Sequence, residues 1–237
     1  MQNKTIKRNL VLGILFFLPV LFLLFLYPAQ HNYTPLEVVK ESVLDLTNLP
    51  SVTNKEVAFK DKITVLNFLG KDPETHILEA SNLKEMVYDN FTGFKGFQIV
   101  TILPFEAKAS AQRLRKELIK HTPLQYWEFV YASQDDINRL YSNLRASKFL
   151  NYDGFTSEVY VIDKDLSQRG RLDDRSKKEL EKNAKAYPLT SYSSDDVGVL
   201  KNKMNDDIRI LFTEYRQKRK GEFNSTSRRA DDLKADK

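Results

Sequence analysis

The sequence predicts an α/β domain, a central mixed sheet flanked by helices, carried behind one N-terminal transmembrane helix. Three observations carry this expectation. An apolar run at 10–27 contains no charge, apolar β-branched stretches at 63–69 and 97–103 read as strands buried on both faces, and helix-period segments alternate with such stretches along the rest of the chain.

The first run, LVLGILFFLPVLFLLFLY, follows Lys4, Lys7 and Arg8. Roughly 18 helical residues cover about 27 Å, close to the hydrocarbon thickness of a bilayer. A cleaved secretory signal has a shorter apolar core and ends in small residues, whereas this run ends Tyr27-Pro28-Ala29-Gln30. An uncleaved anchor is therefore expected. Pro19 is tolerable within a spanning helix. The cations before the run keep residues 1–9 in the cytoplasm and place everything after Tyr27 across the membrane; in a bacterial inner membrane that is the periplasmic face.

About 210 residues remain, the size of one domain with an insertion or tail. Apolar residues at 41% and charged residues at 29% are ordinary for a globular chain, so disorder throughout is excluded. The net charge of +5 is concentrated late, at Arg216, Lys218, Arg219, Lys220, Arg228 and Arg229, which reads as a basic disordered tail over 217–237. A nucleic-acid partner is not expected beyond a membrane. The chain has no cysteine, which removes thiol nucleophiles, thiolate metal sites and dithiol exchange as chemistries.

Residues 28–54 read as a connector. The domain proper is expected over 55–216. Ile63 to Leu69 is a buried strand that Gly70-Lys71 breaks. Asp72-Pro73-Glu74 then reads as a helix start, with Asp72 as N-cap, Pro73 in the first turn and Glu74 at the positive end of the helix dipole. Ile77, Ala80, Leu83, Val87 and Phe91 mark that helix's packed face. A second strand at 97–103 stops at Pro104, and Ala107, Ala111, Leu114 and Leu118 mark the next helix. The third strand covers 127–131, and Ser133 caps a helix carrying Ile137, Leu140, Tyr141 and Leu144. A strand at 159–162, a turn at 163–167 and a partner strand at 168–172 form a hairpin. Residues 173–194 are polar and read as an exposed insertion. A last helix over about 195–219 shows Val197, Leu200, Met204, Ile208, Leu211 and Tyr215 on one face, with Asp206 and Asp207 on a solvated one. This order buries its apolar faces as a thioredoxin-like sheet with helices on both sides and one additional helix.

Several stretches carry a family resemblance: ITVLNFLG at 63–70, TILPFEAKASAQRLRKEL at 101–118, WEFVYASQDDINRLY at 127–141, VYVIDKDLSQRGRLDD at 159–174 and the close SYSSDDVGVLKNKMNDDIRILFTEYR at 191–216. With the single anchor in front, the chain resembles the Sco/SenC family. These are membrane-anchored thioredoxin-fold proteins of copper delivery and thiol chemistry in cytochrome c oxidase assembly. The resemblance implies a metal and redox site made of Cys-x-x-x-Cys in the loop after the first central strand and a histidine before the hairpin. Here that loop is Gly70, Lys71, Asp72, Pro73, Glu74, Thr75 and His76, and the histidine slot falls at Phe155, so all three ligands are missing. Cuprous ion is selected by soft thiolate sulfur, which carboxylates and one imidazole do not replace.

Asp72, Glu74 and His76 are weak metal-site candidates, and the expected reading is a capped helix start with an exposed histidine. His31 and His121 lie far apart in the chain. No Gly-x-Ser-x-Gly elbow and no phosphate loop occur. The function expected is therefore a non-catalytic, cofactor-free, membrane-tethered protein that binds a protein partner in the cell envelope, with a respiratory oxidase or its assembly factors as the partner the resemblance implies. Two alternatives stand beside it: a sulfur-free enzyme or metal site at 70–76, and a structural envelope protein whose basic tail meets anionic lipid.

Overall fold

The structure, a computed structural model, describes residues 2–26, 35–46, 49, 51, 53, 56–120 and 122–221. His31, His121 and the tail beyond Gly221 lie outside the described residues. The chain forms two compact units, Met1–Thr34 and Pro35–Lys237. In the first, helix α1 (Gln2–Leu26) contains Pro19 without ending there. Its window Arg8–Phe25, with mean hydropathy 2.3, is long and apolar enough to cross a membrane or to serve as a signal sequence.

The second unit is built on β1 (Glu37–Lys40), β2 (Ile63–Leu69), β3 (Phe97–Pro104), β4 (Trp127–Ala132), β5 (Phe155–Ile162), β6 (Gln168–Gly170) and the short β7 (Tyr192–Ser193). The sheet order is β1-β6-β5-β2-β3-β4, with β7 on β5. β2, β3 and β4 run parallel, while β5 is antiparallel to β2 and β6 to β5. A parallel β-α-β unit joined to an antiparallel hairpin and closed by a last helix is the layout the sequence predicts. The fold is thioredoxin-like.

Side-chain alternation divides the core into two layers. On one face Val65, Ile99, Leu103, Trp127, Phe129 and Val161 pack under helices α2 (Ile77–Leu83), α4 (Lys108–Leu118) and α8 (Asn205–Lys220). On the other, Leu66, Phe68, Val100, Ile102, Val130 and Tyr160 pack against α5 (Gln134–Ser142) and against Val43, Leu46 and Phe59. The Ser133 side chain accepts from the Asp136 amide and caps α5, as its sequence context predicts.

Four expectations change. The connector assigned to 28–54 is, from Pro35 onward, part of the compact unit: β1 pairs with β6, Leu36, Val39, Val43 and Leu46 are buried, and Asp45 accepts from the Phe59 amide at 2.6 Å. Four edge residues are too few for an alternating pattern to register in the sequence. The insertion at 173–194 is anchored at both ends, by the buried Asp174 and by Tyr192 in β7, and between them Ser176 and Glu179 form a capping box on α6 (Lys177–Glu181). β5 begins at Phe155, four residues before the expected 159. Of the acidic pair in the last helix, only Asp206 is solvated. Asp207 is buried, accepting from Arg171 Nη2 at 2.9 Å and from the Tyr192 hydroxyl at 2.6 Å, and burial holds its carboxyl above the usual range.

The helix opened at Pro73 and the one that ends the unit each contain a π turn, Lys84–Tyr88 between α2 and the short α3 (Asp89–Phe91), and Leu200–Met204 between the short α7 (Val197–Val199) and α8. Asn205 donates to the Met86 carbonyl at 2.7 Å, so one irregular helix satisfies the other.

The hairpin is fixed by Arg169, which is 4% exposed. Its guanidinium donates to Asp163 at 2.8 Å, to Glu214 at 2.6 Å and to the Leu36 carbonyl, tying β6 to the hairpin turn, α8 and the start of β1. Removing one member of a buried ion group strands its partners, at a cost of about 3–5 kcal/mol. Arg169→Ala is expected to lower stability by that amount in urea denaturation of the detergent-solubilised chain, followed through the single tryptophan, Trp127. Arg169→Met combined with Asp163→Asn and Glu214→Gln is expected to recover most of the loss.

Candidate functional site

The C-terminal end of β2 is where a sheet of this layout presents a loop between two helix layers. The antiparallel register sets Leu69 opposite Phe155, so the loop at 70–76 and the first residue of β5 meet although 85 positions separate Gly70 from Phe155 in the numbering. Two glycines make the contact close. Gly70 (φ +69°) and Gly154 (φ +81°) lie side by side, and the Lys71 amide donates to the Asp153 carbonyl at 3.0 Å. A Cβ on Gly70 would stand 2.9 Å from that same carbonyl oxygen.

The two carboxylates of the loop both turn to Ser110 of α4, and His76 does not join them. Asp72 makes no side-chain cap. Its Oδ1 accepts instead from the Ser110 hydroxyl of α4 at 2.5 Å. Ser110 Oγ in turn accepts from the Glu74 amide at 3.3 Å. Glu74 Oε2 takes Arg113, with Nε at 2.7 Å and Nη2 at 2.6 Å. The hydrogen bond from Arg113 holds the Glu74 carboxyl below the usual range. Pro73 opens a 3₁₀ turn, Pro73–His76, that leads into α2.

His76 is not a solvated residue at a helix start. It is half-buried, its ring stacked on Phe155 with centroids 3.4 Å apart and planes 5° from parallel, and Nδ1 lies 3.8 Å from Glu79. The loop residue and the residue in the histidine slot thus meet face to face as an apolar contact.

The donor set does not fit a cuprous site. There is no sulfur, Asp72 and Glu74 are engaged by α4, and a single imidazole is the one nitrogen ligand in the loop. Among the described residues, no group of three or more His, Asp or Glu is placed to hold a metal ion. Of the three candidates, Asp72 and Glu74 meet at the Ser110 hydroxyl and His76 stacks on Phe155 apart from them.

Sequence reasoning misses what surrounds them. Ser110 and Arg113 reach back from the next helix, and only the fold brings them near. The loop before β5 carries Phe149 and Tyr152, 95% and 91% exposed, with Lys71 Nζ 5.0 Å from the Tyr152 ring centre. Its turn is built by Asn151, whose side chain accepts from the amides of Asp153 and Phe155 at 3.0 and 2.8 Å. At the same end of the sheet, Phe105 follows β3 half-exposed, with Lys108 Nζ near its ring and that of Tyr131 at 5.7 and 5.6 Å.

No protein-family model matches the chain, and no curated protein matches it. Among solved structures it is similar in fold to BsSco, described as a member of the Sco family of cytochrome c oxidase assembly proteins, at 12% identity and TM-score 0.47 over 75% of this chain and 96% of that one. It is also similar to copper-bound ScoI of Bradyrhizobium japonicum, at 14% identity and TM-score 0.40 over 73% and 100% of the two chains. Copper-bound ScoI of Arabidopsis thaliana gives 15% identity and TM-score 0.41 over 68% and 94%. Likenesses of this depth say nothing about metal, activity or partner in this chain. The thioredoxin-like assignment rests on strand order and direction.

Two outcomes are expected from this geometry. Arg113→Ala should raise the Glu74 titration midpoint toward the ordinary glutamate value in carbon-detected NMR of the carboxyl, since its principal hydrogen bond is gone. Gly70→Ala should cost about 1–3 kcal/mol in thermal or urea denaturation, because a Cβ there meets backbone in a left-handed conformation.

Proposed function

We propose that the chain is a membrane-anchored, redox-inactive protein of thioredoxin-like fold that works by binding another protein through the end of the sheet at Gly70. The observation that carries this reading is the pairing of a loop without reactive groups with exposed aromatics beside it. His76 and Phe155 close the centre with an apolar stack, Asp72 and Glu74 are occupied by α4, and Phe149, Tyr152 and Phe105 stand out around them. Large aromatics exposed on a rigid frame favour a protein interface, where such side chains supply most of the binding energy. The absence of cysteine supports the redox-inactive part, because thiol exchange requires sulfur.

The window Arg8–Phe25 supports the anchor, and Lys4, Lys7 and Arg8 before it favour an extracytoplasmic second unit. The sequence resemblance directs the partner search to a respiratory cytochrome oxidase and its assembly factors.

Affinity capture of the full chain from detergent-solubilised membranes is expected to recover an oxidase subunit or assembly factor. Phe149→Ser with Tyr152→Ser should reduce that recovery at least tenfold, with the urea denaturation midpoint unchanged. Recovery equal to the native chain's would refute the aromatic end as the interface, and recovery of no such partner would refute the oxidase reading.

A further inference from the structure

We propose that the opposite end of the sheet, where β2 begins, is a lipid-facing surface that docks on anionic phospholipid headgroups. The inference rests on the anchored reading above for its geometry and on the following residues for its chemistry.

β2 and β3 start at this end and β5 finishes there. The Asp61 amide donates to the Lys164 carbonyl at 3.1 Å and the Ile63 amide to Gly96 at 2.7 Å, which brings the loops at 60–62, 94–96 and 164–165 together. These loops contribute Lys60, Lys62, Lys95 and Lys164. α8 arrives at the same place: Lys164 and Lys218 lie 5.4 and 4.6 Å from the centre of the Tyr215 ring, and its last residues add Arg219 and Lys220. The acidic groups facing this rim are Asp45, which accepts from the amides of Phe59 and Lys60, Asp61, and Asp165, which accepts from the Tyr215 hydroxyl at 2.8 Å. Glu214 is turned inward to Arg169 and Lys218. Lys62 donates to Gln98 at 2.9 Å and Lys218 is paired with Glu214 and Asp165, so the positive charge of the rim is carried by Lys60, Lys95, Lys164, Arg219 and Lys220, against Asp61.

Phe94 stands among these lysines. It is 39% exposed and packed on Phe212 with centroids 4.4 Å apart, so part of the ring faces outward while the rest is held by the core. A half-exposed aromatic ring on the same loop as Lys95 suits the headgroup layer, where rings settle at the apolar boundary and ammonium groups meet phosphate. The chain length also favours lipid: the eight residues 27–34 between the end of α1 and the second unit reach at most about 28 Å when fully extended. Such a tether keeps headgroups at high effective concentration around the unit.

The absence of cysteine permits a direct test. Gly93→Cys places a single dye site beside Phe94, where an added Cβ meets nothing within 4 Å, and Tyr152→Cys places one at the other end. The full chain, labelled with an environment-sensitive dye, is reconstituted into vesicles of phosphatidylcholine alone or with one-third phosphatidylglycerol. The dye at position 93 is expected to shift to the blue and to lose access to an aqueous quencher several-fold with phosphatidylglycerol only. High salt should reverse the change. Lys60→Glu with Lys95→Glu should weaken it at least tenfold, the dye at position 152 should not respond, and circular dichroism should show the variants folded. An equal response in both lipids, an equal response at position 152, or a response to soluble polyglutamate but not to phosphatidylglycerol overturns the proposal.

Carbonate extraction of the same vesicles reads the anchor separately. If the chain is extracted, flotation of the unanchored chain at neutral pH still decides. Binding to phosphatidylglycerol vesicles that the charge reversal abolishes upholds the surface, and no binding overturns it.

Discussion

Everything in the second unit is arranged around β2. A strand buried on both faces must give every backbone group to its two neighbours, and β2 does so with β3 in parallel on one side and β5 in antiparallel on the other. The mixed pairing places the end of β2 beside the start of β5 and the start of β2 beside the end of β5. The two ends of the sheet are thus built from different loops, and each end acquires a separate chemical character. A closed aromatic site lies at one and a lysine rim at the other.

At the closed end, polar groups that might have done chemistry have been drawn into holding the helix in place. Ser110 links Asp72 to the Glu74 amide, and Arg113 takes the Glu74 carboxylate, so the 3₁₀ turn is pinned to α4 rather than left open. A metal site gathers lone pairs around one point. Here they are directed at neighbours, and what the surface offers instead is ring area on loops fixed by Asn151 and by two glycines in left-handed conformation.

The layout of the sheet was legible in the chain because its signals are local. Continuous apolar runs mark β2 and β3, Ser133 announces α5, and the turn at 163–167 announces the hairpin. β1 was not legible, since its one buried residue, Val39, gains meaning only when β6 lies alongside. Nor was the burial of Asp207: beside Asp206 it reads as solvated, and only Arg171 and Tyr192, which approach from elsewhere in the chain, give it a place inside. The loop at 70–76 and Phe155 could be named from the resemblance, but their stacking follows from a strand register no single segment encodes. Ser110 and Arg113 were invisible for the same reason, looking like ordinary members of a helix face.

The clamp that Arg169 closes on the Leu36 carbonyl has a mechanical meaning. The chain enters the second unit at Pro35, directly before that carbonyl and the four residues of β1. Tension arriving along the backbone is met there by an ionic knot shared among β6, the hairpin turn and α8, rather than by a peripheral strand alone. Force on the backbone at Leu36 is thereby shared among three elements that are far apart in the chain.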